Sequence, residues 1–132
     1  MFPRDAEPVL VCLEASAEDA SRTAWTTEVR YVRGYDPADP RPPFARTLDA
    51  VLEAARGFGR VGLELSLGTQ ASDRMVGEPT TFTKAWFDAF PDAADATGVL
   101  VRALMAEDDL DALVVRAPDN VLYLTNFWGM KG

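Results

Sequence analysis

Short apolar runs alternate with segments whose apolar residues recur at helical spacing, and this alternation limits what the chain can become. Residues 8–13 (PVLVCL) form an apolar run without polar alternation, the pattern of a strand covered on both faces. Residues 28–32 (EVRYV) alternate, with Val29, Tyr31 or Val32 turned inward, and residues 61–65 (VGLEL) and 113–116 (LVVR) are two further strands. Between them lie helical faces. Phe44, Leu48, Val51, Leu52 and Ala55 stand at i, i+4, i+7, i+8 and i+11. Phe82, Trp86, Phe87 and Phe90 form an aromatic stripe, and Leu100, Val101, Leu104 and Met105 a third face. A short helix over 17–24 begins at Ser16 with Asp19 completing a variant capping box. Another helix is expected over 69–76, and 92–97 (DAADAT) is a short strand or loop. The order is β-α-β-α-β-α-(β)-α-β-α. It predicts a single α/β domain with one mixed, mostly parallel sheet and helices on both faces.

Punctuation residues agree with these segments. Residues 34–43 (GYDPADPRPP) hold four of the nine prolines, which fix φ and remove N–H donors, so this stretch is an ordered loop. Gly57 and Gly59 stop the helix before them, and Gly62 inside a strand indicates a close backbone approach.

Composition narrows the chemistry. There is no histidine among the 132 residues. Ser-His-Asp and Cys-His machinery and every histidine-containing metal site are therefore excluded. The net charge of −8 argues against a nucleic-acid partner, because phosphates demand basic patches. Cys12, the single cysteine, lies in an apolar run and reads as a core thiol; no intramolecular disulfide can form, as in a reducing, cytoplasmic setting. No apolar run approaches the ~18 residues needed to span a bilayer. The opening MFPRDAEP lacks a basic stretch followed by an apolar one, so no secretory signal is expected.

Familiar catalytic motifs fail. Gly57-Phe58-Gly59 precedes a strand and not a helix, so it is not a dinucleotide loop. No Gly-Lys-Ser/Thr and no Gly-x-Ser-x-Gly occurs. Glu64 could serve as an acid/base residue, but a structural carboxylate meeting an arginine or a helix N-terminus is the plainer reading. Asp88, Asp92 and Asp95 lack the glycine and terminal glutamate of a calcium loop and belong to a helix end at the surface.

The C-terminal 24 residues, DLDALVVRAPDNVLYLTNFWGMKG, read as a strand, a Pro-Asp-Asn turn, a short aromatic helix and a glycine-flanked loop. With the preceding helical segment they resemble the opening of the non-catalytic N-terminal domain of the creatinase / Xaa-Pro aminopeptidase / prolidase family ("LDALVV…P.NV.YLTGF"). Glu7-Pro8-Val9-Leu10-Val11 is similar to the second arm of a hairpin in that domain ("GEP.L.V"), and Arg60-Val61-Gly62-Leu63-Glu64 to a later strand. The blocks stand in the reverse of the family's order. The resemblance thus implies a circular permutation, residues 2–97 corresponding to the later part of the domain and 99–132 to its beginning, with the old ends joined near Gly98. A few residues of one hairpin strand would be missing before Phe2, and exposed ladder groups there would invite a homodimer.

The family's metal-binding pita-bread domain, with its Asp, His and Glu ligands, has no counterpart in this chain. The resemblance implies an accessory and oligomerisation domain, not an enzyme by itself, without cofactor. Its loop after the Tyr-Leu-Thr-x-Phe helix reaches a partner's active site. Phe127, Trp128 and Lys131 occupy that loop here, and Asn126 stands where the family often has glycine. An alternative is a stand-alone α/β binding module, in which Trp128, Phe127 and Tyr123 line an apolar pocket and Lys131 fixes an anion. A weaker one is a carboxylate enzyme built on Glu64 and an aspartate.

Overall fold

A computed structural model of the chain describes residues 1–64, 81–96, 102–115 and 118–126. The expected helix over 69–76 and the junction at Gly98 lie outside the described residues. The fold is mixed α/β. In chain order come β1 (Phe2–Pro3), β2 (Leu10–Leu13), a 3-10 turn (Glu14–Ser16), α1 (Ala17–Thr23), β3 (Val29–Val32) and α2 (Pro43–Ala55). They are followed by β4 (Val61–Leu63), α3 (Thr81–Ala89), β5 (Ala94–Asp95), α4 (Arg102–Glu107), β6 (Ala112–Val114) and α5 (Pro118–Thr125).

The strands divide into two ladders and not the single sheet expected. One has four strands in the order β1-β6-β4-β5, the other two, β2-β3. Three of the pairings are parallel, and only β1 runs antiparallel, placing Phe2 opposite Leu113. β2 and β6 belong to different ladders. The cause is the shortness of β1: Met1–Pro3 separates them at one end, where the Met1 amine donates to Val9 O at 2.7 Å and Val9 N to Met1 O at 2.8 Å. The strand of the C-terminal segment is an interior one, flanked by β1 and β4.

Alternation along the strands sorts their side chains between two faces. Leu63 and Val114 enter a core with Val51 and Ala55 of α2 and Trp86 and Phe90 of α3. Leu113 turns to the other face, with Ala96, Leu110 and the fully buried Met105 of α4. Helices thus cover both faces. Leu10 packs with Ala20 of α1, and Val121 of α5 adjoins them. All five residues of the α2 face, from Phe44 to Ala55, join the first core. The aromatic stripe of α3 holds at Trp86 and Phe90. Phe87 departs from it: 47 % exposed, it sits one residue, or about 100° of helix, away from Trp86. The side chain of Phe82 lies outside the described residues. In β3 the inward residue is Val32, while Tyr31 faces out.

Two glycines act as the sequence suggests. Gly57 has φ +95°, the left-handed residue after the α2 C-cap. At Gly62 a Cβ would lie 2.6 Å from Ala96 Cβ and 2.9 Å from Leu110 Cδ1 and Leu113 Cδ2. The capping box at Ser16 does not form; the 3-10 turn replaces it, with Ala17 N–H donating to Glu14 O. Pro118 starts α5, so Pro-Asp-Asn is a first helical turn and not a separate turn.

The proline-rich loop is held by one guanidinium. Arg46 Nε and Nη2 donate to Arg33 O at 3.2 and 2.8 Å, and Nη2 also to Gly34 O at 3.0 Å. Its Nη1 donates to Asp39 O at 2.9 Å and Arg41 O at 2.6 Å. All five donors of the group are thereby used.

A carboxylate ties the β1–β2 connection to the segment before β3. Glu7 Oε1 accepts from Thr27 N at 2.7 Å and from the hydroxyls of Thr26 and Thr27, each at 3.0 Å. The Thr27 main-chain bond, then the two hydroxyls, lower the Glu7 pKa below the usual carboxylate value. A depressed folded pKa stabilises the fold above the unfolded value and loses that contribution as pH falls through the folded one. Replacing Glu7 with glutamine is expected to lower the melting temperature by a few degrees at pH 7. The gap to the parent chain should begin to narrow as pH falls below the ordinary glutamate value of ~4.3 and should close only once Glu7 is protonated in the folded state. Melting curves across that pH range check this.

Candidate functional site

The end of α5 fixes where the C-terminal segment departs. Thr125 is buried, and its hydroxyl donates to Val121 O at 2.7 Å, one turn back. Thr125 O accepts from Trp25 N at 2.8 Å, so the helix end is clamped to the segment after α1. Asn126 then adopts φ +56°, the left-handed conformation that ends many helices and that glycine, then asparagine, tolerates best. Its amide does a second job: Nδ2 donates to Thr23 O at 2.9 Å, satisfying a carbonyl at the end of α1 that the helix leaves open.

Phe127, Trp128 and Lys131, the residues expected at the functional loop, lie outside the described residues. Their point of departure is nonetheless set to one residue by Asn126. Two exposed aromatics belong to the elements that meet there: Tyr123 on α5, 61 % exposed, and Trp25, 71 % exposed. The alternative reading had included Tyr123. Trp25 was missed; its one signal in the sequence is an aromatic side chain outside every amphipathic stripe.

The double role of Asn126 makes it a sensitive position. Asn126→Gly keeps the backbone conformation and loses one hydrogen bond, an expected cost of about 1 kcal/mol. Asn126→Val loses the bond and also forces a β-branched residue into the left-handed region, an expected ~2–3 kcal/mol in all. Urea unfolding of the two variants checks the order, and equal stability of both would contradict it.

Other places are less suited to chemistry. Cys12 is half-buried, and desolvation pushes its thiol up to about 11, so it is not a thiolate nucleophile near neutral pH. Glu64, 3 % exposed, stands just beyond β4, where its main-chain N donates to Val114 O at 3.0 Å. It is a buried residue at the carboxyl end of a parallel strand. Asp88, Asp92 and Asp95 are exposed. Among the described residues no three His, Cys, Asp or Glu side chains gather as metal ligands would. No described helix is long and apolar enough to cross a membrane. Among the described residues two open clefts stand out. One, of about 290 Å³, lies between Leu52, Phe58, Phe90 and Pro91, and the other, of about 400 Å³, among Tyr31, Arg33, Arg46 and Glu53. Neither includes the end of α5.

Compared with protein-family models, with curated proteins and with solved structures, the chain matches none.

Proposed function

We propose that the chain is a non-catalytic accessory and oligomerisation domain of a Xaa-Pro peptidase or creatinase-like hydrolase, acting in the cytoplasm, with its two blocks exchanged in order. In this reading the segment after α5 reaches the active site of a catalytic pita-bread partner. Phe127 and Trp128 lie beside its substrate and Lys131 offers it a cation. The metal ions and their ligands belong to that partner.

The observation that carries the reading is Asn126. The family pattern often has glycine at this position, and the backbone there has φ +56°, which is what glycine is used for. A resemblance that marks the one left-handed residue at the end of α5 is matching a backbone requirement and not composition. The absence of histidine from the chain supports the non-catalytic part.

The test has two arms. The chain alone, given Xaa-Pro dipeptides and Mn²⁺, is expected to show no turnover; metal-dependent turnover overturns the proposal. Mixed with a pita-bread domain that lacks its own N-terminal domain, the chain is expected to form a complex. Trp128→Ala and Lys131→Ala should then raise the KM of that complex. Failure to associate at tens of micromolar counts equally against the reading. Sedimentation tests the accompanying expectation of a homodimer.

The exposed pair Tyr123 and Trp25 favours a second reading, a stand-alone module that binds a small molecule at the end of α5. Titration of tryptophan fluorescence with amino acids and guanidino acids separates the two: saturable quenching by the chain alone belongs to the second only.

A further inference from the structure

The two helices of the first core end at one cleft. α2 stops at Ala55, where Arg56 N donates to Glu53 O and Phe58 N to Ala55 O, each at 3.2 Å. α3 stops at Ala89, and Ala93 N donates to Phe90 O at 3.1 Å. The space between these two turns is the cleft of about 290 Å³. Small-molecule pockets run from ~300 to ~1,000 Å³, so this one suits a compact group of about ten non-hydrogen atoms.

Its floor is apolar and partly aromatic, lined by Leu52, Phe58, Val61 and Phe90. The Phe90 ring is already stacked on Trp86, at 6.3 Å and 13°, so it is a surface fixed before anything binds. Such a floor favours a flat π system, which stacks on aromatic side chains, over a branched aliphatic one.

The rim carries one charge of each sign. Arg56 and Asp92 both line the cleft and both are exposed. Among the described residues neither makes an ion pair or a side-chain hydrogen bond, with the other or with a third group. Elsewhere neighbouring charges do pair, as Arg41 does with Asp39 and Asp49. The N–H fork of Arg56 and the carboxylate of Asp92 are therefore open to a ligand.

An exposed point charge contributes little in water, whereas a guanidinium or carboxylate that makes two parallel hydrogen bonds contributes more. A ligand that uses both groups in this way is a flat ring with two acceptors on one edge and two donors on the next. Guanine has that pattern. Its O6 and N7 accept from a guanidinium, and its N1–H and N2–H donate to a carboxylate. Adenine presents a donor where guanine has O6. Among the described residues no second cation lines the cleft, so nothing there answers a phosphate.

We propose that this cleft binds a guanine base, free or as its nucleoside. The ring lies on Phe58 and Phe90, Arg56 holds O6 and N7, and Asp92 holds N1–H and N2–H. A ribose projects through the open side to solvent. The cleft does not include the end of α5, so this binding is independent of the role proposed for the segment that follows it.

The test is an NMR titration of the full chain with guanosine. Shifts at the amides of Phe58, Gly59 and Ala93 are expected to saturate with a Kd on the order of 10⁻⁴ M. Adenosine and leucine should bind at least ~10-fold more weakly. Inosine lacks the 2-amino group and 7-deazaguanosine lacks N7, and each should bind about 3- to 10-fold more weakly. Asp92→Asn should weaken guanosine and remove most of its advantage over inosine. Arg56→Gln should do the same to its advantage over 7-deazaguanosine. Both residues are exposed and unpaired, so thermal melts of the two variants should match that of the parent chain. No saturable shift at about 1 mM guanosine overturns the proposal. Equal binding of adenosine or leucine overturns it, as do advantages that survive in the variants. Guanosine 5′-monophosphate should bind no more tightly than guanosine; tighter binding would mark a phosphate site and overturn it too.

Discussion

Replacing Trp86 with alanine is expected to lower the unfolding free energy by about 3–5 kcal/mol, the range for truncating a buried aromatic. Trp86 is buried where α3 meets α2 and the strands. Its ring meets Phe44 edge-on, with centroids 5.9 Å apart and planes at 77°, and stacks on Phe90 at 6.3 Å and 13°. Both arrangements are favourable aromatic geometries, and both vanish with the indole. Leu63, Val114 and Val51 of the same core would then line a cavity. The melting temperature should fall by about 10–20 °C in a chain of this size. Phe87→Ala is the control, because the two residues are adjacent on the same helix. Phe87 is exposed, so the change should stay within ~0.5 kcal/mol. Thermal melts and urea titrations of both variants check the contrast. Similar losses for the two would mean that α3 presents another face to the core.

Gly62→Val is expected to be comparably severe for the opposite reason. Truncating Trp86 leaves too little in the core, whereas valine at residue 62 adds too much. The first atom of any side chain there would sit 2.6 Å from Ala96 Cβ and 2.9 Å from two leucine methyl carbons. Gly62 pairs with Leu113 on one side and Ala94 on the other, so its backbone is held by both neighbouring strands and cannot retreat. Overpacking of this kind costs about 1–3 kcal/mol, and a β-branched residue at so short a distance should lie at or above the upper end. Gly62→Ala should show a smaller loss in the same direction. A stability unchanged by either substitution would contradict the close approach of Ala96, Leu110 and Leu113 to Gly62.

Much of the fold was readable in the residues. The α2 face, the Gly57 stop and the close approach at Gly62 follow from spacing and from what glycine permits. Trp86 and Phe90 were readable as core, but Phe87 was not, because an aromatic at the edge of a stripe looks the same in sequence whichever way the helix is rolled. The division into two ladders left no trace in the sequence. It depends on main-chain bonds between Met1 and Val9, to which side-chain identity is almost irrelevant. Within the candidate site, Asn126 could be picked out only because a family pattern places glycine there. Its bond to Thr23 O links residues 103 positions apart, and no local pattern reports such a contact. For Phe127, Trp128 and Lys131 the structure adds the place from which they start.

Arg46 gives the cleft beside it an unusual selectivity. A guanidinium in such a place would ordinarily recruit a phosphate or carboxylate by gripping it with paired N–H groups. Here those groups already encircle the oxygens of Arg33, Gly34, Asp39 and Arg41. An anion arriving from solvent would feel the attraction and find no hydrogen to hold. The residue works as the guest in a crown of its own backbone's carbonyls, and its positive charge is a by-product of that architecture.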